Sequence, residues 1–343
     1  MALALTLAAS KLCQTVSIQP APSSEFFFIL DATSLLYRSY FSKYQLNDYD
    51  GKIDKPLLLL GKEFAQLVSR HNPAYVAACF DGRRDDVFRR ALFPGYKQNR
   101  DAQPAELLAL VPRAMTYLRA LGCVSFRSPI HEGDDLMGTL SHLACTLSPN
   151  VTTILVTEDK DMMCLVSDQG KTFVMHPRTL QIFDEAAVES KMGVPPSLVA
   201  DLLCLAGDPV DGIPGVKGVG PQTAVRLLRA FGSLDNLYAN LDAVAAVPNL
   251  RGAKTLAEKL RKQKEDVWIY RSVVALACDV KLELPMLSSP SSSSWVSLEH
   301  LRYLGVDEVE GEALMEEAMG AKGVGKGPFL KLLKEQQRPS VPF

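Results

Sequence analysis

Nine carboxylates, Asp31, Asp81, Glu132, Asp134, Asp135, Asp159, Asp161, Asp208 and Asp211, stand singly or in short clusters along this 343-residue chain. Gathered without cations they would repel one another, because like charges a few ångströms apart cannot all stay ionised. Divalent metals resolve that conflict. An all-oxygen donor set suits Mg²⁺ or Mn²⁺, whereas zinc usually recruits His or Cys, and no histidine here has ligand-like spacing. His131 lies beside the cluster without a partner in sequence and reads as structural. Two such cations about 3.5–4 Å apart can activate a water and stabilise the leaving oxygen of an in-line phosphodiester displacement. The carboxylates would then be ligands and positioning groups rather than covalent nucleophiles.

Three other features bear on the same chemistry. Glu132-Gly133-Asp134-Asp135 opens a helix, where the helix dipole favours acids in any case; Glu132 and Asp135, three apart, share one face and are expected to point together into the site. At Phe88-Arg89-Arg90 and Tyr96-Lys97-Gln98-Asn99-Arg100 cations and aromatic rings interleave. In isolation this is a solvated charged loop; directly after Asp81 it can grip a phosphate, with Tyr96 or Phe88 stacking on a base. The third feature is Ile213-Pro214-Gly215-Val216-Lys217-Gly218-Val219-Gly220-Pro221, ahead of a helix expected over Ala224 to Ala230. Its glycines let backbone approach a phosphate at a helix N-terminus. It lacks the Walker A ending and the strand that precedes a dinucleotide loop, so a helix-hairpin-helix on a DNA backbone fits better than a nucleotide pocket.

The elements that must position these groups alternate between strands and helices. Phe26 to Leu30, Ala74 to Phe80 and Thr153 to Val156 are apolar runs of buried-strand type, ending at or just before Asp31, Asp81 and Asp159. Helical patterns cover Leu57 to Ser69, Pro104 to Leu121 and Asp134 to Leu147. The alternation predicts a doubly wound, mainly parallel α/β sheet, whose ligands lie outside the carboxyl ends of its strands. One strand-ending aspartate is explained as a turn residue or helix cap; three converging on one crevice are not. After residue 195 the pattern turns mainly helical, with a basic segment at Arg251 to Lys264 and a Pro/Ser-rich linker at residues 285–296. A helical extension and polar tail are expected over 297–343.

With 47% hydrophobic and 22% charged residues the chain can bury a large core, and a net charge of −2 does not point to a general polyanion binder. Nucleic-acid contact must come from local basic patches. The seven cysteines form no CxxC pair and read as buried reduced thiols, which disfavours zinc and disulfide frameworks. Residues 1–24 carry no acid and one lysine, with Ala, Ser, Thr and Pro. They have the character of a transit peptide, for chloroplast ahead of mitochondrion because Arg is absent, with a disordered tail as the alternative.

The order of these pieces resembles the 5′ nuclease family, namely the 5′-to-3′ exonuclease domain of bacterial DNA polymerase I and the flap endonucleases. The matching segments are Leu30-Asp31 with Tyr37-Arg38, Phe80-Asp81, Phe88-Arg89 through Arg100, Glu132 to Asp135, Asp159-Lys160-Asp161, and Gly207-Asp208 through Asp211-Gly212-Ile213-Pro214-Gly215. The resemblance implies a PIN-like core over 25–195 with a helical arch at about 82–103, followed over 196–284 by a helix-hairpin-helix region that grips duplex DNA through a K⁺ ion. It further implies a first metal on Asp31, Asp81, Glu132, Asp134 and Asp135, and a second completed by Asp159, Asp161, Asp208 and Asp211. Lys97 and Arg100 would steer the scissile phosphate. Tyr37, Arg38, Phe88, Arg89, Tyr96, Gly215, Lys217, Gly218 and Gly220 would contact DNA bearing a 5′ flap, nick or free 5′ end, or an RNA–DNA primer junction. Three positions depart from the family pattern: Glu158 stands where a small residue is usual, Gly133 replaces an alanine, and Gly212 replaces an asparagine. No polymerase module follows, which implies a stand-alone monomer, free of membranes, working with a separate organellar polymerase. A catalytically inactive DNA-binding relative and a PIN-type ribonuclease are the rival readings; all nine carboxylates argue against the first and the Gly207 to Ala230 segment against the second.

Overall fold

The computed structural model describes residues 25–43, 54–248, 250, 252–282 and 298–303. The putty of the fold is a six-stranded sheet in the order β3-β2-β1-β4-β5-β6, with β1 Glu25–Asp31, β2 Tyr75–Phe80, β3 Val124–Arg127, β4 Val151–Val156, β5 Thr172–Met175 and β6 Ile182–Phe183. All pairings are parallel except β5 with β6. Side chains alternate across the strands: Phe26, Phe28 and Leu30 enter one core while Phe27 and Ile29 enter the other. Both faces are therefore apolar and both are covered, as parallel sheets require.

One face carries α1 Ala32–Tyr40, α2 Lys55–His71 and, after the short α3 Phe88–Leu92, α4 Ala105–Ala120. Leu57, Leu60, Phe64 and Val68 repeat at helical spacing along α2 and are buried. Each such side chain contributes roughly 1.5–3 kcal/mol on burial. The other face carries α5 Gly133–Leu147 and the helical region that follows α6 Glu185–Met192. That region runs through α7 Val199–Ala206, α8 Pro221–Phe231, α9 Leu234–Ala239, α10 Ala253–Lys262 and α11 Lys264–Val274. The expected division at residue 195 falls beside the 3-10 turn Pro196–Leu198 between α6 and α7.

The helix expected over Ala224 to Ala230 begins earlier, at Pro221, because proline is well placed at the first helical position and Gly220 caps it. The segment after α11 does not leave the domain. Ala277 and Val280 donate backbone N–H groups to Asp135 and to Thr139 Oγ1 on α5, and Val280 and Leu282 are buried. Residues 298–301 form a 3-10 turn, and Arg302 bridges to Tyr75 at the start of β2. The transit-type N-terminus, the 285–296 linker, Arg251 and the tail beyond Tyr303 lie outside the described residues. Among those described, no helix is long and apolar enough to cross a membrane, and six cysteines are free thiols, of which Cys79, Cys123 and Cys204 are buried.

Candidate active site

The strand order reverses direction at β1, and the crevice lies there, outside the carboxyl ends of β1, β2 and β4. It has a volume of about 680 Å³ and is lined by Asp31, Asp81, Asp134, Asp159, Asp161, Asp208 and Asp211, with Glu158, Lys97, Arg100, Lys160 and Tyr37 around them. Asp31 ends β1 and caps α1, accepting from the Ser34 N–H at 2.9 Å. Asp81 accepts from the Gly133 N–H at 2.7 Å, and its own N–H donates to Thr33 Oγ1. Thr157 is a hinge pin that sequence reasoning passed over: its hydroxyl donates to Asp31 at 2.9 Å and accepts the Asp159 N–H at 3.0 Å.

Asp208 and Asp211 arrive from the helical region on a tight loop. Asp208 and Ile213 exchange backbone hydrogen bonds at 2.8 Å, which closes the loop and turns both acids back toward the sheet. Gly207, at φ +81°, and Gly215, at φ +65°, make this closure possible: a Cβ on Gly207 would lie 2.7 Å from the Pro214 carbonyl oxygen, and one on Gly215 would strike the Gly207 backbone. The loop is docked by the segment after α3. Lys97 N–H donates to the Asp211 carbonyl, Asn99 to Pro209 and the Arg100 Nε to Val210. Arg100 also reaches the Asp211 carboxylate at 2.5 Å, and Lys160 reaches Asp208 at 3.1 Å.

The electrostatics are those of acids short of counter-charge. Burial and the neighbouring Asp81 push Asp31 up to about 7. Burial, Asp159 and Asp208 push Asp161 up to about 8. Asp81, Asp134 and Asp159 are raised as well, with burial the leading cause in each. Asp161 Oδ1 is buried with no hydrogen-bond partner. Among the described residues no three His, Cys, Asp or Glu side chains already stand together at chelating distance. The donor set, carboxylate oxygens with one buried orphan among them, fits a divalent cation.

Four expected site residues are placed elsewhere. Asp135 is fully buried and Glu132 nearly so, and neither lines the crevice. The two do share a helix face, but it turns onto Arg89, while Asp134 between them points at the site. Arg89, expected to grip DNA, is 2% exposed; besides the two acids it donates to the carbonyls of Val273 and Ala275. Tyr96, expected to stack on a base, is buried with its hydroxyl on Glu132 at 2.7 Å. Phe88 is half-buried against the His131 ring and under the Arg89 guanidinium. His131 does have a partner, Ser128, 2.9 Å from its Nδ1.

The segment 82–103 holds a 3-10 turn, Arg84–Asp86, and α3, packed against the helical region. Lys97 sits at φ +52° in the crevice wall, its ammonium 2.6 Å from Glu132 and 3.6 Å from Asp211. Burial pulls that ammonium down, but Glu132, Tyr96 and Asp211 outweigh it and raise it well above its ordinary value. Tyr37, 46% exposed, stands at the crevice mouth with its ring tilted against that of Phe41. Arg38 pairs with Glu63 and Glu158. Lys217, Gly218 and Gly220 are exposed on the hairpin before α8, and Gly215 is buried beneath it.

Comparison with known proteins bears on the family and the fold. The 5′-3′ exonuclease N-terminal resolvase-like domain matches residues 26–193, and the 5′-3′ exonuclease C-terminal SAM fold matches residues 194–293. The 5′-3′ exonuclease of Streptomyces coelicolor is 33% identical over 270 residues, covering 74% of this chain and 87% of that one. The 5′-3′ exonuclease of Aquifex aeolicus is 30% identical over 258 residues, 75% and 83% of the two chains. DNA polymerase I of Pseudomonas aeruginosa is 34% identical over 257 residues, and there the chain spans only 28% of the relative. Among solved structures, T5 5′-exonuclease with zinc bound shares the fold at TM-score 0.57 and 17% identity, over 91% of this chain and all of that one. The catalytic core of Rad2 with DNA substrate does so at TM-score 0.52 and 14% identity, over 93% and 95%.

Proposed function

The chain belongs to the 5′-3′ exonuclease family, and from that membership we propose that it hydrolyses DNA phosphodiester bonds from 5′ ends and at 5′ flaps, using two Mg²⁺ ions. The observation that carries this reading is the convergence of seven aspartates at the carboxyl ends of three parallel strands, with Lys97 and Arg100 on the same crevice. Asp31, Asp81, Asp134, Asp159, Asp161, Asp208 and Asp211 would hold the ions, with Mn²⁺ as a substitute. When bound, such cations supply Lewis-acid charge to the phosphate under attack. Lys97 and Arg100 would orient that phosphate and balance charge developing on it. Tyr37 would meet a base at the mouth, and the exposed Lys217-Gly218 tip would meet the duplex backbone, with K⁺ as an auxiliary ion there.

Nicks, free 5′ ends and RNA–DNA primer junctions are the proposed substrates, with a separate polymerase supplying them. The acid-free first 24 residues support organellar import, to the chloroplast ahead of the mitochondrion. Import of a fluorescent fusion of residues 1–24 tests that assignment. The activity itself is tested with the full chain on a 5′-end-labelled flap duplex, in Mg²⁺ and in EDTA. Release of a short labelled product near the junction, in Mg²⁺ only, is the expected result; binding without cleavage would leave a scaffold protein instead.

A further inference from the structure

The geometry points to Glu132 as a positioning residue that acts on the reaction through Lys97, not as a ligand for metal. Both of its oxygens are engaged by side chains: Oε1 accepts from the Lys97 ammonium at 2.6 Å, and Oε2 accepts from the Tyr96 hydroxyl at 2.7 Å and from Arg89 at 3.1 Å. Glu132 does not line the crevice that Lys97 lines. A carboxylate ligating a cation must present a lone pair to it; three donors already occupy this one, and the lone pair left on Oε1 lies beside the Lys97 ammonium that the same oxygen holds.

The support behind Glu132 is equally specific. Its own backbone N–H donates to Asp135, and Asp135 holds Arg89 by both terminal nitrogens. Arg89 is in turn fixed by the carbonyls of Val273 and Ala275, on the segment leaving α11. The position of the Lys97 ammonium is therefore set by a relay of buried charge that reaches from α3 through α5 to the end of the helical region. On the crevice side, Asp211 competes for the same ammonium at 3.6 Å. With Glu132 neutralised, Lys97 swings toward Asp211, which turns it from the substrate phosphate. A displacement of about 1 Å in such a group costs on the order of 100-fold in rate.

This inference rests on the nuclease reading, and the two are separable because loss of that reading appears as an inactive wild type. The test is a double-mutant cycle in the full chain: single-turnover flap cleavage by wild type, Glu132→Gln, Lys97→Ala and the double variant, with Mn²⁺ affinity measured by titration on each. Residues that act as one unit are strongly non-additive. The expected result is a loss of about 10- to 100-fold for Glu132→Gln in the wild type, falling to about 2-fold or less in the Lys97→Ala background, with Mn²⁺ affinity unchanged. Asp134→Asn serves as the control in which Mn²⁺ affinity drops. Equal losses in both backgrounds, or Mn²⁺ affinity reduced about tenfold or more by Glu132→Gln, would overturn the inference. If Glu132→Gln does not fold, Tyr96→Phe removes one donor from the same carboxylate. Its smaller loss must likewise vanish when Lys97 is absent.

Discussion

Arg89 on α3 places its two terminal nitrogens on the two carboxylate oxygens of Asp135 on α5, each at 2.6 Å, across 46 residues of chain and inside the core. The pair joins the loop that carries Lys97 to the helix that carries Asp134. Removing the cation leaves Asp135 charged and buried without a counter-charge, with only the Glu132 and Ala277 N–H groups on it. Arg89→Ala is accordingly expected to lose about 3–5 kcal/mol of stability, read as the shift in a urea midpoint. A loss under about 1 kcal/mol would show that the pair is dispensable.

Metal-free stability has a defined pH dependence. Asp31 and Asp161 titrate near 7 and 8 in the folded chain, against an ordinary 3.8. The folded state therefore holds their protons more tightly than the unfolded state. The stability that this contributes is complete below pH 3.8 and is lost as pH rises through 7 and 8. In EDTA the melting temperature should fall between about pH 5 and about pH 9. Because bound cations compete with these protons, added Mg²⁺ should raise the melting temperature more at the alkaline end. A metal-free melting temperature that climbs across that interval would contradict the charge balance described for the crevice.

The carboxylate of Glu158 pairs with Arg38 at 2.6 Å and Arg178 at 3.4 Å at the rim of the crevice. Glu158→Ala removes a negative charge beside the path of a polyanion and frees Arg178 from its pair, while Arg38 keeps Glu63. Tighter DNA binding is expected, with the slope of log affinity against log salt steeper by about 1. Stability should change by less than about 1 kcal/mol, since the pairs are partly exposed. Anisotropy measurements at several salt concentrations read both quantities; an unchanged slope would mean that DNA does not pass over Arg38 and Arg178.

The sheet was legible because its central strands are apolar on both faces: Phe26 to Leu30 and the β2 and β4 runs have no other reading, and each leads to an acid. The edge elements were not. β3, Val124–Arg127, and β5, Thr172–Met175, are four residues each and mix polar with apolar positions, too short for periodicity to show. α1 went unread although Asp31 caps it, because the same residue had already been explained as a site acid. At the site, helical spacing put Glu132 and Asp135 on one face, which they do share, but turned that face toward the crevice, where the structure has Asp134 instead. Which face meets the crevice is decided by Arg89, more than forty residues earlier, and by Val273 to Ala277, more than a hundred later. No local pattern carries that information. Burial of Arg89 and Tyr96 is hidden for the same reason: an aromatic-basic stretch looks alike in sequence whether it faces DNA or a pair of acids.

Asp161 offers the most direct test of the central claim, that the aspartate crevice cleaves DNA with bound divalent cations. Single-turnover cleavage of a labelled 5′-flap duplex in Mg²⁺ should be compared for wild type and Asp161→Asn, alongside DNA affinity measured in Ca²⁺. The substitution keeps the side chain's shape while removing the charge of an acid whose Oδ1 is buried and unpartnered. The predicted result is abolished cleavage with affinity largely preserved. Wild-type turnover by Asp161→Asn would contradict the account.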